Sequence, residues 1–98
     1  MTVPSLTPGS YLLLVYDYVA DVLERRDPYR AAHLDHARSA KARGDLLNVG
    51  AVGSPPSGAI FVFAEIGTDA VEQFADADPY VRAGLVTGRR VEPWTVVV

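Results

Sequence analysis

Three segments of this chain are apolar on both sides of an extended backbone, and that limits the fold more than any other feature. In residues 11–18 (YLLLVYDY), Tyr11, Leu13 and Val15 point one way while Leu12, Leu14, Tyr16 and Tyr18 point the other. In residues 59–66 (AIFVFAEI), Phe61 and Phe63 alternate with Ile60, Val62 and Ala64. In residues 91–98, Val91 and Val97 oppose Trp94, Val96 and Val98. Each run is short and rich in branched and aromatic residues, the pattern of a strand. A sheet built from them has no polar face to offer water, so it needs a covering layer on each side.

The rest of the chain supplies one such layer. Pro4, Pro8 and Gly9 make residues 1–10 a loose lead-in, ahead of a single domain at 11–98. Asp27-Pro28 reads as a helix start, with aspartate as N-cap and proline at the first helical position. The helix then runs through residues 29–43, with Gly44 as its stop; whether it begins earlier, around Asp21, the pattern leaves open. Residues 46–52 (LLNVGAV) form a second strand, closed by the turn Gly53-Ser54-Pro55-Pro56-Ser57-Gly58. Thr68 is placed to cap a short helix at 69–77, with Val71, Phe74 and Ala75 on one face. Pro93 in the last strand suggests an edge or a bulge.

The order strand–helix–strand–strand–helix–strand is that of the ferredoxin-like split βαβ fold, an α+β class with a four-stranded antiparallel sheet and two helices on one face. In 98 residues nothing is left to cover the other face. A second copy of the chain, packed sheet on sheet about a two-fold axis, is the expected cover, so a homodimer is predicted.

Composition narrows the function classes. Hydrophobic residues make up 49% of the chain, too many for a disordered segment. A net charge of −3 with mixed signs argues against nucleic acid as a partner, since phosphate binding needs a basic surface. The absence of cysteine removes thiolate catalysis, disulfides and cysteine-ligated zinc, and fits a cytoplasmic protein. No apolar run approaches the ~20 residues of a spanning helix, and residues 1–5 do not read as a secretory signal. No glycine-rich phosphate loop or serine elbow is present, and no cofactor is expected.

Chemistry-bearing residues concentrate in two places. His33 shares a helical stripe with Leu34, Ala37 and Ala40, so it faces inward. Asp78 stands before Pro79, which biases its backbone to an extended conformation, and Tyr80 follows. An aspartate folded against a histidine fixes the tautomer and stabilises the imidazolium, which makes a general base near neutral pH. Read from the residues alone, an Asp-Pro at a helix end is normally a cap or turn, and a histidine bordering an apolar stripe is usually a satisfied core residue. Tyr80 is a candidate donor to a bound oxygen, with Arg30 or Arg82 for an anionic group. Tyr16 belongs to a tyrosine cluster, with Tyr11 and Tyr18, that lines either a ligand cavity or the core. His33 and His36 are also an i, i+3 pair able to face one metal, but no third ligand is signalled among Asp17, Asp35 and Asp78, and no metal is expected.

The ordered set of Ala32-His33-Leu34, Gly44-Asp45-Leu46-Leu47 with Gly50, residues 59–65, Asp76 to Gly84 (DADPYVRAG) and Val91-Glu92-Pro93-Trp94 resembles the YciI-like (YCII-related) family, within the dimeric α/β-barrel superfamily. The resemblance spans about residues 11–98. It implies a ferredoxin-like fold, a dimer with facing sheets, and a pocket with a His/Asp pair, which by motif match is His33 and Asp78. The chain departs from the family's glycine-proline pattern, since Ala51 follows Gly50 and Pro55-Pro56 comes later, and its loop between the second and third strands is short. Substrate choice does not carry over across those changes. Two functions remain in view. One is a cofactor-independent enzyme of the lyase, isomerase or dehydrochlorinase kind, acting on a small organic acid. The other is a non-catalytic homodimeric module that binds a small molecule or a partner protein.

Overall fold

The proline–glycine pair that ends the lead-in also starts the sheet: β1 runs Gly9–Tyr18, two residues ahead of its expected start. The computed structural model describes residues 6–98, so residues 1–5 of the expected lead-in lie outside the described residues. After β1 come α1 (Val22–Arg25), α2 (Asp27–Ala42), β2 (Leu46–Val52), β3 (Gly58–Phe63), α3 (Thr68–Ala77), α4 (Pro79–Arg82) and β4 (Val86–Val96). The four strands form one antiparallel sheet in the order β2-β3-β1-β4, which is the ferredoxin-like arrangement. The two expected helices are joined by two single-turn helices, α1 and α4.

Several boundaries differ from the sequence expectation, each for a local reason. Asp27 is not a cap. Arg26 stands before α2 in a helical conformation (φ −76°, ψ −24°), so α1 runs almost directly into α2, with Pro28 in the first turn. At the other end Gly44 takes φ 82°, its N–H donates to the Lys41 carbonyl, and the Asp45 N–H reaches the Ala40 carbonyl. That pair of bonds is a Schellman stop, and it explains why the helix ends where the glycine predicts. Gly67, not Thr68, precedes the first residue of α3, and no side chain caps that helix. β3 ends after Phe63, three residues early: the Ala64 N–H still reaches the Asp45 carbonyl, and the chain then turns as the Ile66 N–H donates back to the Ala64 carbonyl.

β4 shows the largest difference. It begins at Val86, five residues before the expected Val91, and ends at Val96. The polar run Thr87-Gly88-Arg89-Arg90 does not read as a strand by itself, but β1 provides the ladder, with Tyr16 opposite Arg89 and Leu14 opposite Val91. Pro93 sits on this edge strand, where a missing N–H is tolerated, and the sheet's register shifts fall elsewhere, at Asp17/Tyr18 and at Leu46/Asn48.

The helices bury one face of the sheet. Leu14, Tyr16, Phe61 and Phe63 pack with Ala37, Ala40, Val71 and Ala75 in a single core. The opposite face carries Leu13, Val15, Ile60, Val62 and Trp94, with Asp17, Arg90 and Glu92 interspersed by register. Ile60 and Trp94 are each 38% exposed there, so this large apolar surface has no layer over it among the described residues. Among the described residues no helix is long and apolar enough to cross a membrane.

Candidate functional site

One residue both ends α3 and starts α4. Pro79 disfavours the helical conformation at the residue before it, and Asp78 accordingly lies at φ −68°, ψ 124°. Its carboxylate then turns back to cap the next turn, where Oδ1 accepts the Tyr80 N–H at 2.9 Å. The same oxygen accepts a hydrogen bond from His33 Nδ1 at 2.7 Å, and Oδ2 accepts one from the Tyr16 hydroxyl at 2.8 Å. Asp78 has 0% exposure, and a carboxylate that deep survives only with such donors around it. Residues from β1, α2 and the α3–α4 corner therefore meet at one side chain.

His33 is buried on the inward stripe with Ala37 and Ala40, as its spacing predicts. Tyr80 lies flat against it, ring centroids 3.7 Å apart at 2°. Tyr80 thus fixes both members of the pair, the carboxylate through its backbone and the imidazole through its ring. An ionised carboxylate can only accept, so Nδ1 is the donor in this bond and, in a neutral imidazole, Nε2 is the nitrogen with the lone pair.

That lone pair belongs to a residue lining a cavity of about 220 Å³ between α2 and β2. Tyr18, Tyr80, Arg26 and Arg30 line it beside His33, with Leu34, Ala37 and Ala59 as apolar wall. Burial first, then the charge of Asp78 and its hydrogen bond, push the Tyr16 phenol far above its ordinary value. Burial, with Tyr80 and Asp78 adding to it, raises the Tyr18 phenol to about 12, against the opposing pull of Arg26 and Arg30. Both phenols remain neutral O–H donors at neutral pH.

The sequence candidates separate into groups. His33, Tyr80 and Arg30 reach the cavity, and Asp78 stands directly behind His33. Tyr16 does not line it: its hydroxyl is spent on Asp78, which makes it a support for the pair and corrects its placement against substrate. Arg82 is also absent from the cavity, because its Nε donates to the Asp76 carbonyl at 3.2 Å. His36 turns away from His33, its Nε2 on the Phe74 carbonyl at 2.8 Å and its ring stacked on Phe74. The two histidines thus serve different partners, and no group of three candidate metal ligands occurs among the described residues. A Cβ at Gly50 would meet nothing within 4 Å, so close packing does not explain that glycine.

Tyr18, expected within a tyrosine cluster at a ligand cavity or the core, lines the cavity, and so does Arg26, which the sequence reading did not single out. The available signal was spacing: 26, 30, 33 and 37 follow the same helical stripe that places His33 inward. A second hollow of about 280 Å³, lined by His36, Arg43, Asp45 and Gln73, lies between α2 and α3. It contains neither member of the His–Asp pair, and its arginine and aspartate are paired with each other at 3.2 Å.

Comparison with known proteins agrees with the fold. Among solved structures, the chain is similar to 5-chloro-2-hydroxyhydroquinone dehydrochlorinase from Burkholderia phenoliruptrix AC1100, determined in complex with 2,5-dihydroxybenzoquinone. That similarity has a TM-score of 0.73 at 24% identity, over 87% of this chain and 93% of the other. An antibiotic biosynthesis monooxygenase shares the fold with a TM-score of 0.56 at 8% identity, over 91% of this chain and 99% of the other. Protein YciI of Escherichia coli O6:H1 is 39% identical over 87 aligned residues, covering 80% of this chain and 89% of the relative. The family model for the YCII-related domain matches residues 10–95. With that match across nearly the whole sequence, the chain belongs to the YCII-related domain family.

Proposed function

We propose that the chain is a cofactor-independent enzyme that moves a proton on a small organic acid, with Nε2 of His33 as general base. The observation that carries this reading is the 2.7 Å contact between His33 Nδ1 and the buried Asp78 carboxylate, at the wall of a cavity the imidazole itself lines. A proton taken by Nε2 creates an imidazolium, and Asp78 stabilises it through the Nδ1 hydrogen bond. The same group can return the proton elsewhere, which gives an isomerase, or leave a carbanion that expels a leaving group, which gives a lyase or dehydrochlorinase. The cavity is below the ~300–1,000 Å³ usual for larger ligands, in keeping with a single-ring substrate. The dehydrochlorinase of like fold is named for a hydroxylated ring compound, and a substrate of that kind suits the tyrosine-lined wall.

Incubating the protein with a panel of small hydroxylated ring acids in D2O, followed by proton NMR, tests the reading. One or more compounds should exchange or turn over, and His33→Gln should slow that reaction roughly 10²–10⁴-fold. Equal rates in wild type and His33→Gln would sink it. A second reading, a non-catalytic binding module, draws support from a specific feature: Asp78 accepts from three protein donors and so has a complete structural role without a ligand. In that case ligands bind without any exchange beyond the solvent rate.

The chain is further proposed to pair with a second copy, sheet against sheet. The support is the apolar face of Leu13, Val15, Ile60 and Trp94. Sedimentation should give a dimer for the wild type and a folded monomer for Ile60→Glu. A monomeric wild type removes the proposal.

A further inference from the structure

We propose that the cavity is built for a carboxylate, held by Arg26 and Arg30, with the Tyr80 hydroxyl donating to a second oxygen of the same ligand. Among the described residues only two side-chain polar atoms are both buried and unpartnered, Arg26 Nε and the Tyr80 hydroxyl, and both residues line this one cavity. An orphaned interior donor is a standing cost, and native structures rarely tolerate one without an acceptor. Two such donors on residues that line the same cavity point to an acceptor that arrives from outside.

The charge of the lining sets the sign of that acceptor. Among the described residues no acidic side chain lines the cavity, although the chain as a whole carries −3. Arg25, Arg38, Arg43 and Arg89 are engaged in ion pairs, whereas Arg26 and Arg30 enter none of them. The two free guanidiniums lie one helical turn apart, and both act on the Tyr18 phenol across the cavity. Planar guanidinium forks suit a carboxylate, which accepts two parallel hydrogen bonds. This inference deepens the acid–base reading and rests on it for the chemistry. With the carboxylate anchored at Arg26, a C–H next to a carbonyl is presented to His33 Nε2. The C–H bond breaks, the proton joins Nε2, and the electron pair moves onto the carbonyl oxygen as an enolate that the Tyr80 O–H stabilises.

Calorimetric titration at low salt with benzoate, benzamide and inorganic phosphate as probes tests the anchor. Benzoate should bind at millimolar concentration or better, with benzamide about tenfold weaker or worse, the loss of one charge-assisted hydrogen bond. Arg26→Gln should bring benzoate down to the benzamide level. If that variant does not fold, as judged by far-UV circular dichroism, Arg30→Gln at an exposed position should show the same direction of loss. The proposal is overturned by no benzoate binding, by equal binding of benzoate and benzamide, by unchanged benzoate affinity in a folded variant, or by phosphate binding tighter than benzoate. Calorimetry reads binding and not turnover. A failure here therefore leaves His33 as the base, and a failed exchange experiment leaves the carboxylate site.

Discussion

Replacing Tyr16 by phenylalanine removes one oxygen from the core and nothing else, which makes it a sharp test of how the His–Asp pair is held. The Tyr16 hydroxyl donates to Asp78 Oδ2 at 2.8 Å, and the two residues are 1% and 0% exposed. The other donors to Asp78, His33 Nδ1 and the Tyr80 N–H, both reach Oδ1, so without Tyr16 Oδ2 has no partner. A hydrogen bond to a charged group contributes about 1.5–3 kcal/mol, and the orphaned oxygen puts the cost toward the upper part of that range. The ring itself keeps its edge-to-face contact with Phe61, 4.8 Å between centroids, so little packing is lost. For a domain of this size about 2.5 kcal/mol lowers Tm by roughly 10–20 °C. Tyr18→Phe is the control, since Tyr18 lies two residues along the same strand face and its hydroxyl makes no hydrogen bond among the described residues; its cost should stay within about 0.5 kcal/mol. Urea unfolding followed by circular dichroism, at one fixed protein concentration, should show a lower midpoint for Tyr16→Phe with an unchanged m-value. Equal midpoints for the two variants would refute the argument that Tyr16 holds Asp78.

Two further outcomes follow from other parts of the molecule. A Cβ on Gly58 would overlap the Tyr16 carbonyl oxygen, whereas one on Gly50 meets open space. Gly58→Ala should therefore cost about 2 kcal/mol or more by chemical denaturation, while Gly50→Ala stays within about 0.5 kcal/mol. The Tyr18 phenol is raised from 10.0 to about 12, so between those values the unfolded chain has lost a proton that the folded chain keeps. The associated stability is complete below pH 10 and is lost as pH climbs toward 12. Denaturant titrations should show this decline in the wild type and a shallower one in Tyr18→Phe; parallel slopes would contradict it.

The sheet and the longer helix were legible because their signals are local. Alternation marks β1 and β3, and a glycine that only a left-handed turn accommodates marks the end of α2. The start of β4 was not legible, since Thr87 to Arg90 are polar and become a strand only because β1 lies alongside. Much of the site was readable for a similar reason. Pro79 fixes the backbone at Asp78, and helical spacing turns His33 inward. The misplacements concern long side chains. Arg82 and Tyr16 sit near the pair in sequence logic, but their heads go to Asp76 and Asp78, and no spacing rule says where a flexible side chain ends. Arg26 was missed because it lies ahead of the helix start that the Asp27-Pro28 signal marks, and it precedes α2 in the structure as well.

The position of Asp78 also bears on how the protein comes together. Its three donors lie 62, 45 and 2 residues away along the chain, on a strand, a helix and its own turn. Only the last can form early, and the other two must wait until β1 and α2 have docked against the α3–α4 corner. Local opening at that corner would separate His33 from the Asp78 carboxylate in a single event. The pair is in effect a fuse on the tertiary structure: any state in which all three bonds to Asp78 are made is one in which β1, α2 and the α3–α4 corner are already together.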